Sequence, residues 1–125
     1  MHLHRLCELV PSYLFTSLRH SCTSLSSLTF HRCALGPHTS LAALPTSLAT
    51  LTFRSCVFVK KSSLFDSIWR QLPRLVELRI EDMVSFSRLD CHAVLTDLGI
   101  DFDIKFAANA ASPSFIFYRK LCHAL

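Results

Sequence analysis

The groups in this chain with chemistry to offer are thiols, imidazoles, carboxylates and hydroxyls, and their spacing decides which of them can act together. Six cysteines (Cys7, Cys22, Cys33, Cys56, Cys91 and Cys122) and seven histidines would suit a zinc centre, which gathers its ligands as closely spaced pairs. No Cys-x-x-Cys occurs. Cys33 with His38, Cys91 with His92 and Cys122 with His123 each lack a second pair at ligand spacing, so neither a metal nor any other cofactor is expected. A serine hydrolase would need its nucleophile on a Gly-x-Ser-x-Gly elbow, and a zinc protease a His-Glu-x-x-His helix; neither is present. The carboxylates Glu8, Asp66, Glu77, Glu81, Asp82, Asp90, Asp97, Asp101 and Asp103 form no recognisable acid/base motif. With only Gly36 and Gly99, a glycine-rich loop that cradles phosphate is ruled out. The residues therefore point away from an enzyme and from a small-molecule substrate.

What must position these groups is a single domain, since 125 residues match the usual domain size of about 100–150. Half of the residues are hydrophobic and 18% are charged, a balance that builds a core and argues against a disordered tail. The net charge is +4, but the basic residues are scattered. Lys60–Lys61 and Arg119–Lys120 are the only adjacent basic pairs and read as solvated surface, whereas a nucleic-acid binder concentrates its charge and interleaves aromatics. No nucleic-acid partner is expected. An even cysteine count would suit disulfides in a secreted domain. Residues 1–18, however, carry Arg5, Glu8 and Pro11 in the one stretch available as a signal core, and Asn109 is followed by two alanines and so forms no glycosylation site. The cysteines are read as reduced, in an intracellular protein of the cytoplasm or nucleus. The uncharged run Cys33 to Phe53 contains Pro37, His38, Pro45 and repeated Ser and Thr, which is wrong for a membrane span.

An internal repeat organises the chain. Leu25, Leu28, Phe30 and Cys33 recur as Leu48, Leu51, Phe53 and Cys56, and again as Leu75, Leu78, Ile80 and Met83; a weaker fourth copy is Leu95, Leu98, Ile100 and Asp103. The intervals of 23, 27 and 20 residues between the copies fall in the roughly 20–29 residues of a leucine-rich repeat. The Leu-x-Leu part reads as a short strand whose alternate side chains point inward. Between strands the chain must turn back. Ser62 to Leu72 suits a helix, with Leu64, Phe65, Ile68, Trp69 and Leu72 on one face and Pro73 at its end. Ser12 to Cys22 also reads as helical, and Gly36 to Ser47 as a looser arc broken by Pro37 and Pro45. Cys33 and Cys56 take the inner-edge position of each coil, where a small, mostly apolar side chain with a weak donor is suited to a buried turn.

The phrase Leu-x-x-Leu-x-Phe-x-x-Cys, with Leu-Pro-x-x-Leu at 44–48 and Leu-Pro-x-Leu at 72–75, resembles the cysteine-type leucine-rich repeats of F-box proteins, in particular divergent fungal ones, over roughly residues 12–104. The resemblance implies the substrate-recognition part of an F-box-type ubiquitin ligase subunit, without the F-box itself, since residues 1–20 are too short for its helices. The expected fold is α/β: a short leucine-rich-repeat solenoid of about 3–4 coils, with a parallel sheet on the concave face and helices or irregular arcs on the convex face. Residues 1–104 form that repeat domain. Residues 105–125 form a C-terminal tail, either a cap over the last coil or the unpacked start of something truncated.

If the register is right, Ser27, Thr29 and His31, then Thr50, Thr52 and Arg54, then Glu77, Arg79 and Glu81, then Asp97, Gly99 and Asp101 face outward, and His31, Arg54, Glu81 and Asp101 share one row. That face runs from neutral or basic to acidic. Its candidate partner-binding residues are Thr29, His31, Thr52, Arg54, Glu77, Arg79, Glu81 and Asp101, and the expected partner is another protein. Arg54 and Glu81 should neighbour one another, which a simple surface ion pair would also satisfy. The alternative to a protein-interaction module is a truncated or degenerate repeat fragment without independent activity.

Overall fold

The computed structural model describes residues 1–9, 12–35, 43–58, 72–82, 88–98, 102–107 and 114–120. Strand β1 (His2–Leu9) leads to helix α1 (Ser12–Ser21) and strand β2 (Ser27–Leu35). Strand β3 (Thr50–Arg54), the two-residue β4 (Val57–Phe58) and β5 (Glu77–Glu81) come next. Helix α2 (Arg88–Leu98) precedes the strands β6 (Phe102–Ala107) and β7 (Ser114–Arg119). Most of the helix expected over 62–72 and much of the arc over 36–47 lie outside the described residues.

The first three copies of the repeat do become neighbouring parallel strands. Leu28, Phe30 and His31 of β2 lie beside Leu51, Phe53 and Arg54 of β3, and these lie beside Leu78, Ile80 and Glu81 of β5. The repeat extends beyond the strands. Leu25, Leu48 and Leu75 each donate their backbone N–H to the carbonyl three residues earlier, of Cys22, Pro45 and Leu72. At one repeat position, Arg32 within β2, Ser55 just after β3 and Asp82 just after β5 take a left-handed backbone with φ of 56°, 55° and 53°. That conformation costs a residue with a Cβ about 1–2 kcal/mol, and its recurrence at one repeat position marks a common turn.

The solenoid, in contrast, is not what the chain builds. The sheet is mixed, with strand order β1-β2-β3-β5-β7-β6 and β4 beside β2, and it curls into a half-barrel. Only two helices occur among the described residues. Two physical reasons account for the difference. First, Leu95 and Leu98 of the fourth copy are helical and its Asp103 lies in β6: Cys91, Val94 and Leu98 are buried together while Leu89 is exposed, a spacing of three and four residues that selects a helix face. Leu95 and Leu98 satisfy both the repeat phrase and this helical spacing. Second, the place beside β5 is taken by β7, which runs antiparallel to it, and β6 is antiparallel to β7. Phe115 and Phe117 supply at period two the apolar side chains that a fourth coil would have supplied, opposite Ile80 and Leu78.

The core lies on one face of this sheet. Leu28, Leu51, Leu78 and Phe117 form one buried row, and Phe30, Phe53, Ile80 and Phe115 the next. The Phe30 and Phe53 rings are stacked with centroids 5.3 Å apart, and Phe15 of α1 packs on Phe30 at 5.4 Å. Each such ring contributes roughly 1.5–3 kcal/mol on burial, so the rows shared by both halves of the sheet dominate its stability. Arg119, read from sequence as solvated surface, instead ties β7 to the repeat. Its Nε donates to the Leu75 carbonyl at 2.9 Å and its guanidinium lies 4.8 Å from the Phe102 ring centroid.

Candidate protein-binding face

The opposite face of the sheet is polar, and strand register orders it. One row runs His31, Arg54, Glu81 and Ser114; the next runs Thr29, Thr52, Arg79, Ile116 and Lys105; the third runs Ser27, Thr50, Glu77, Tyr118 and Asp103. On the central strand β5, period-two alternation puts Glu77, Arg79 and Glu81 on this face and Leu78 and Ile80 in the core. The charges connect. Arg54 donates from Nε and Nη2 to Glu81 Oε1 at 3.1 and 2.9 Å, and Arg79 Nε lies 3.7 Å from carboxylate oxygens of both Glu77 and Glu81. The result is a chain of alternating charge, Arg54, Glu81, Arg79, Glu77. The Glu81 side chain is held between two cations at 15% exposure, whereas Arg54 keeps 53%. Beyond the strand ends, Ser55 Oγ donates to Asp82 Oδ2 at 2.6 Å, joining two of the left-handed turns.

Of the predicted site residues, His31, Arg54, Glu77, Arg79 and Glu81 are brought together on this face. Thr29 and Thr52 belong to it by register but are only 9% and 7% exposed, because short β-branched side chains in the middle row sit among longer neighbours on a curled sheet. They line the floor. Asp101 lies outside the described residues, and Asp97, expected beside it on a fourth strand, is in α2. The face therefore does not end in an acidic strand.

It ends in residues that sequence reasoning missed. Tyr118 stands opposite Glu77 and Asp103 opposite Tyr118, with Lys105 Nζ 5.8 Å from the Tyr118 ring centroid. The signal for Asp103 and Lys105 was available: Phe102, Asp103, Ile104, Lys105, Phe106 alternates apolar and charged without a break, which marks a half-buried strand.

The cysteines do structural work. Cys22, Cys33, Cys56 and Cys91 are thiols, and Cys56 Sγ donates to the Phe30 carbonyl of the neighbouring strand at 3.2 Å. Burial, opposed by contacts with backbone groups, pushes the Cys56 thiol up from 9.0 to about 11. It is thus protonated at neutral pH and unsuited to nucleophilic attack. Among the described residues no three His, Cys, Asp or Glu side chains gather as metal ligands, and no helix is long and apolar enough to cross a membrane. Neither a protein-family model, a curated protein nor a solved structure matches this chain.

Proposed function

We propose that the chain is a protein-interaction module that receives its partner on the polar face of the sheet. The observation that carries this reading is the alternating chain Arg54, Glu81, Arg79, Glu77, which crosses from β3 to β5, runs along β5 and is continued by Tyr118 on β7. Rigid strands hold these side chains, and their mutual pairing reduces the freedom lost when a partner docks. Arginine and tyrosine are also the residue types that most often dominate binding energy. Arg54, tethered at one edge of its guanidinium and half exposed, is placed to donate to a carboxylate or backbone carbonyl of the partner. With the F-box-type resemblance of the repeats, the module belongs to the substrate-recognition part of a ubiquitin ligase subunit.

The test is comparative capture. Wild-type chain and an Arg54→Glu/Tyr118→Ala variant, matched for fold by circular dichroism, are used as baits and the captured proteins quantified by mass spectrometry. A partner bound by the wild type should fall by about tenfold or more with the variant, as expected when interface anchors worth at least about 1.4 kcal/mol are lost. An unchanged set of captured proteins would remove this face from the proposal.

A further inference from the structure

The two arginines of the polar face carry donors that the carboxylates of the sheet do not saturate. Arg54 and Arg79 are diagonal neighbours, one strand and two residues apart, which puts their Cα atoms roughly 8 Å from one another. One carboxylate serves both. Glu81 accepts from Nε and Nη2 of Arg54 through Oε1, while its Oε2 lies 3.7 Å from Arg79 Nε. At that distance Arg79 has an ion contact but no hydrogen bond, and the same 3.7 Å separates it from Glu77. Among the described residues the buried Nε of Arg79 has no hydrogen-bond acceptor. A guanidinium has five N–H donors, so Arg79 is a cation held in place by charge on either side with its own hydrogen bonds unmade.

The formal charges of this chain of residues cancel, but the exposed charge does not. In each pair the cation is the more exposed member, Arg54 at 53% against Glu81 at 15% and Arg79 at 38% against Glu77 at 32%. A partner therefore meets guanidinium first. Lys105, also exposed, extends the cationic side. It shares the middle row with Arg79, on the far side of Ile116, two strand spacings or about 10 Å away.

We infer that the partner docks through an acidic peptide segment, one Asp or Glu side chain seated over the Arg54–Arg79 pair and a second reaching Lys105. This rests on the polar face being the binding surface and gives its occupant a chemistry. The first carboxylate accepts, from the solvent side, donors of the two guanidinium groups that Glu81 already holds together, a fork geometry that suits bidentate pairing. The second is fixed by distance. An extended segment advances about 3.3 Å per residue, so a span near 10 Å sets the two acids three or four residues apart. The same face disfavours nucleic acid: Glu77 and Asp103 stand in the adjoining row, where a continuous run of phosphates meets them and spaced acidic side chains pass between. Because the cations are exposed, the attraction steers encounter and weakens as salt is raised.

The experiment selects twelve-residue peptides from a random phage-displayed library on the full chain, then measures the selected peptides by fluorescence anisotropy. They should carry paired acids at this spacing, and changing both acids to their amides should weaken binding by about tenfold or more. That comparison leaves the protein unaltered, so no variant has to fold for it. Arg79→Gln should weaken the acidic peptide by a similar factor and leave its amide form unaffected, which marks Arg79 as the carboxylate's contact. Selected peptides without paired acids, or amide forms that bind equally well, overturn the acidic partner. If such peptides still lose affinity for the Arg54→Glu/Tyr118→Ala variant, the face stands as the binding surface and only its occupant is wrong. Acidic peptides indifferent to that variant overturn both. An oligothymidylate of twelve nucleotides that binds the chain more tightly than the peptides overturns the proposal in favour of nucleic acid.

Discussion

The parallel strands β2, β3 and β5 and the antiparallel pair β6–β7 fill the same sheet by opposite means. In the first region each strand is preceded by the same backbone turn, has a left-handed residue at the same repeat position, and is linked to the next by a long crossover. The core rows there are assembled from residues more than twenty positions apart. In the second region the partners are close in sequence, the chain reverses, and among the described residues no non-glycine left-handed position occurs. Yet Phe117 continues the row of Leu28, Leu51 and Leu78 without a break. A shared apolar row, not a shared backbone pattern, makes the two regions one sheet.

The most severe way to break that conclusion is to empty the two adjoining apolar rows, one in each region. Phe53 and Phe117 are both fully buried, and truncating either to alanine should cost about 3–5 kcal/mol. If the two regions fold as one unit, Phe53→Ala should lower the hydrogen-exchange protection of β7 amides as much as that of β3 amides, and Phe117→Ala should do the converse. A Phe117→Ala chain that loses protection only in β6 and β7 would show instead that the hairpin is an appendage with its own stability.

The same contrast explains what was legible in the sequence. Register in the parallel region could be read residue by residue, because Leu28, Leu51 and Leu78 sit in identical phrases and the phrase itself is the strand. The Arg54–Glu81 contact followed from it. The hairpin was harder to see because its strands are not copies of anything: Ser114 to Arg119 has three consecutive buried residues, Phe115, Ile116 and Phe117, and so shows no alternation. Ile116 is buried from the polar side of the sheet, a consequence of curling that no local pattern encodes. The fourth repeat misled for a related reason. Leu95 and Leu98 are three apart, a spacing common to the repeat phrase and to a helix, and only the burial of Cys91 and Val94 separates the two.

A smaller effect tests the packing of Cys56 against β2. Cys56 is deeply buried and its thiol is pushed up to about 11, so the folded chain keeps a proton that the unfolded chain releases near pH 9. The proton raises stability fully below the unfolded value. As pH climbs from about 9 to 11 the unfolded state binds fewer protons and stability falls, by up to about 3 kcal/mol for a shift of this size. Lysines and tyrosines titrate in the same range, so the measurement is the difference between wild type and Cys56→Ala in denaturant midpoint against pH. The wild type should lose stability more steeply across this window, and parallel curves would show that the thiol is not desolvated as this packing requires.

The smallest effect is confined to the repeat turns and sharpens what they contribute. Arg32 and Ser55 occupy the same left-handed position, φ 56° and 55°, but Arg32 is exposed while Ser55 also donates to Asp82 at 2.6 Å. Glycine relieves the Cβ strain at either site and gives back part of the gain as unfolded-state entropy. Arg32→Gly should therefore stabilise by up to about 1 kcal/mol. Ser55→Gly gains the same relief but forfeits a charge-assisted hydrogen bond of comparable worth, and should come out near neutral or slightly destabilising. The difference between the two substitutions in chemical denaturation isolates the Ser55–Asp82 link. If Arg32→Gly destabilised instead, the left-handed turn would owe its conformation to contacts of the arginine side chain, and the equivalence of the three repeat turns would rest on sequence alone.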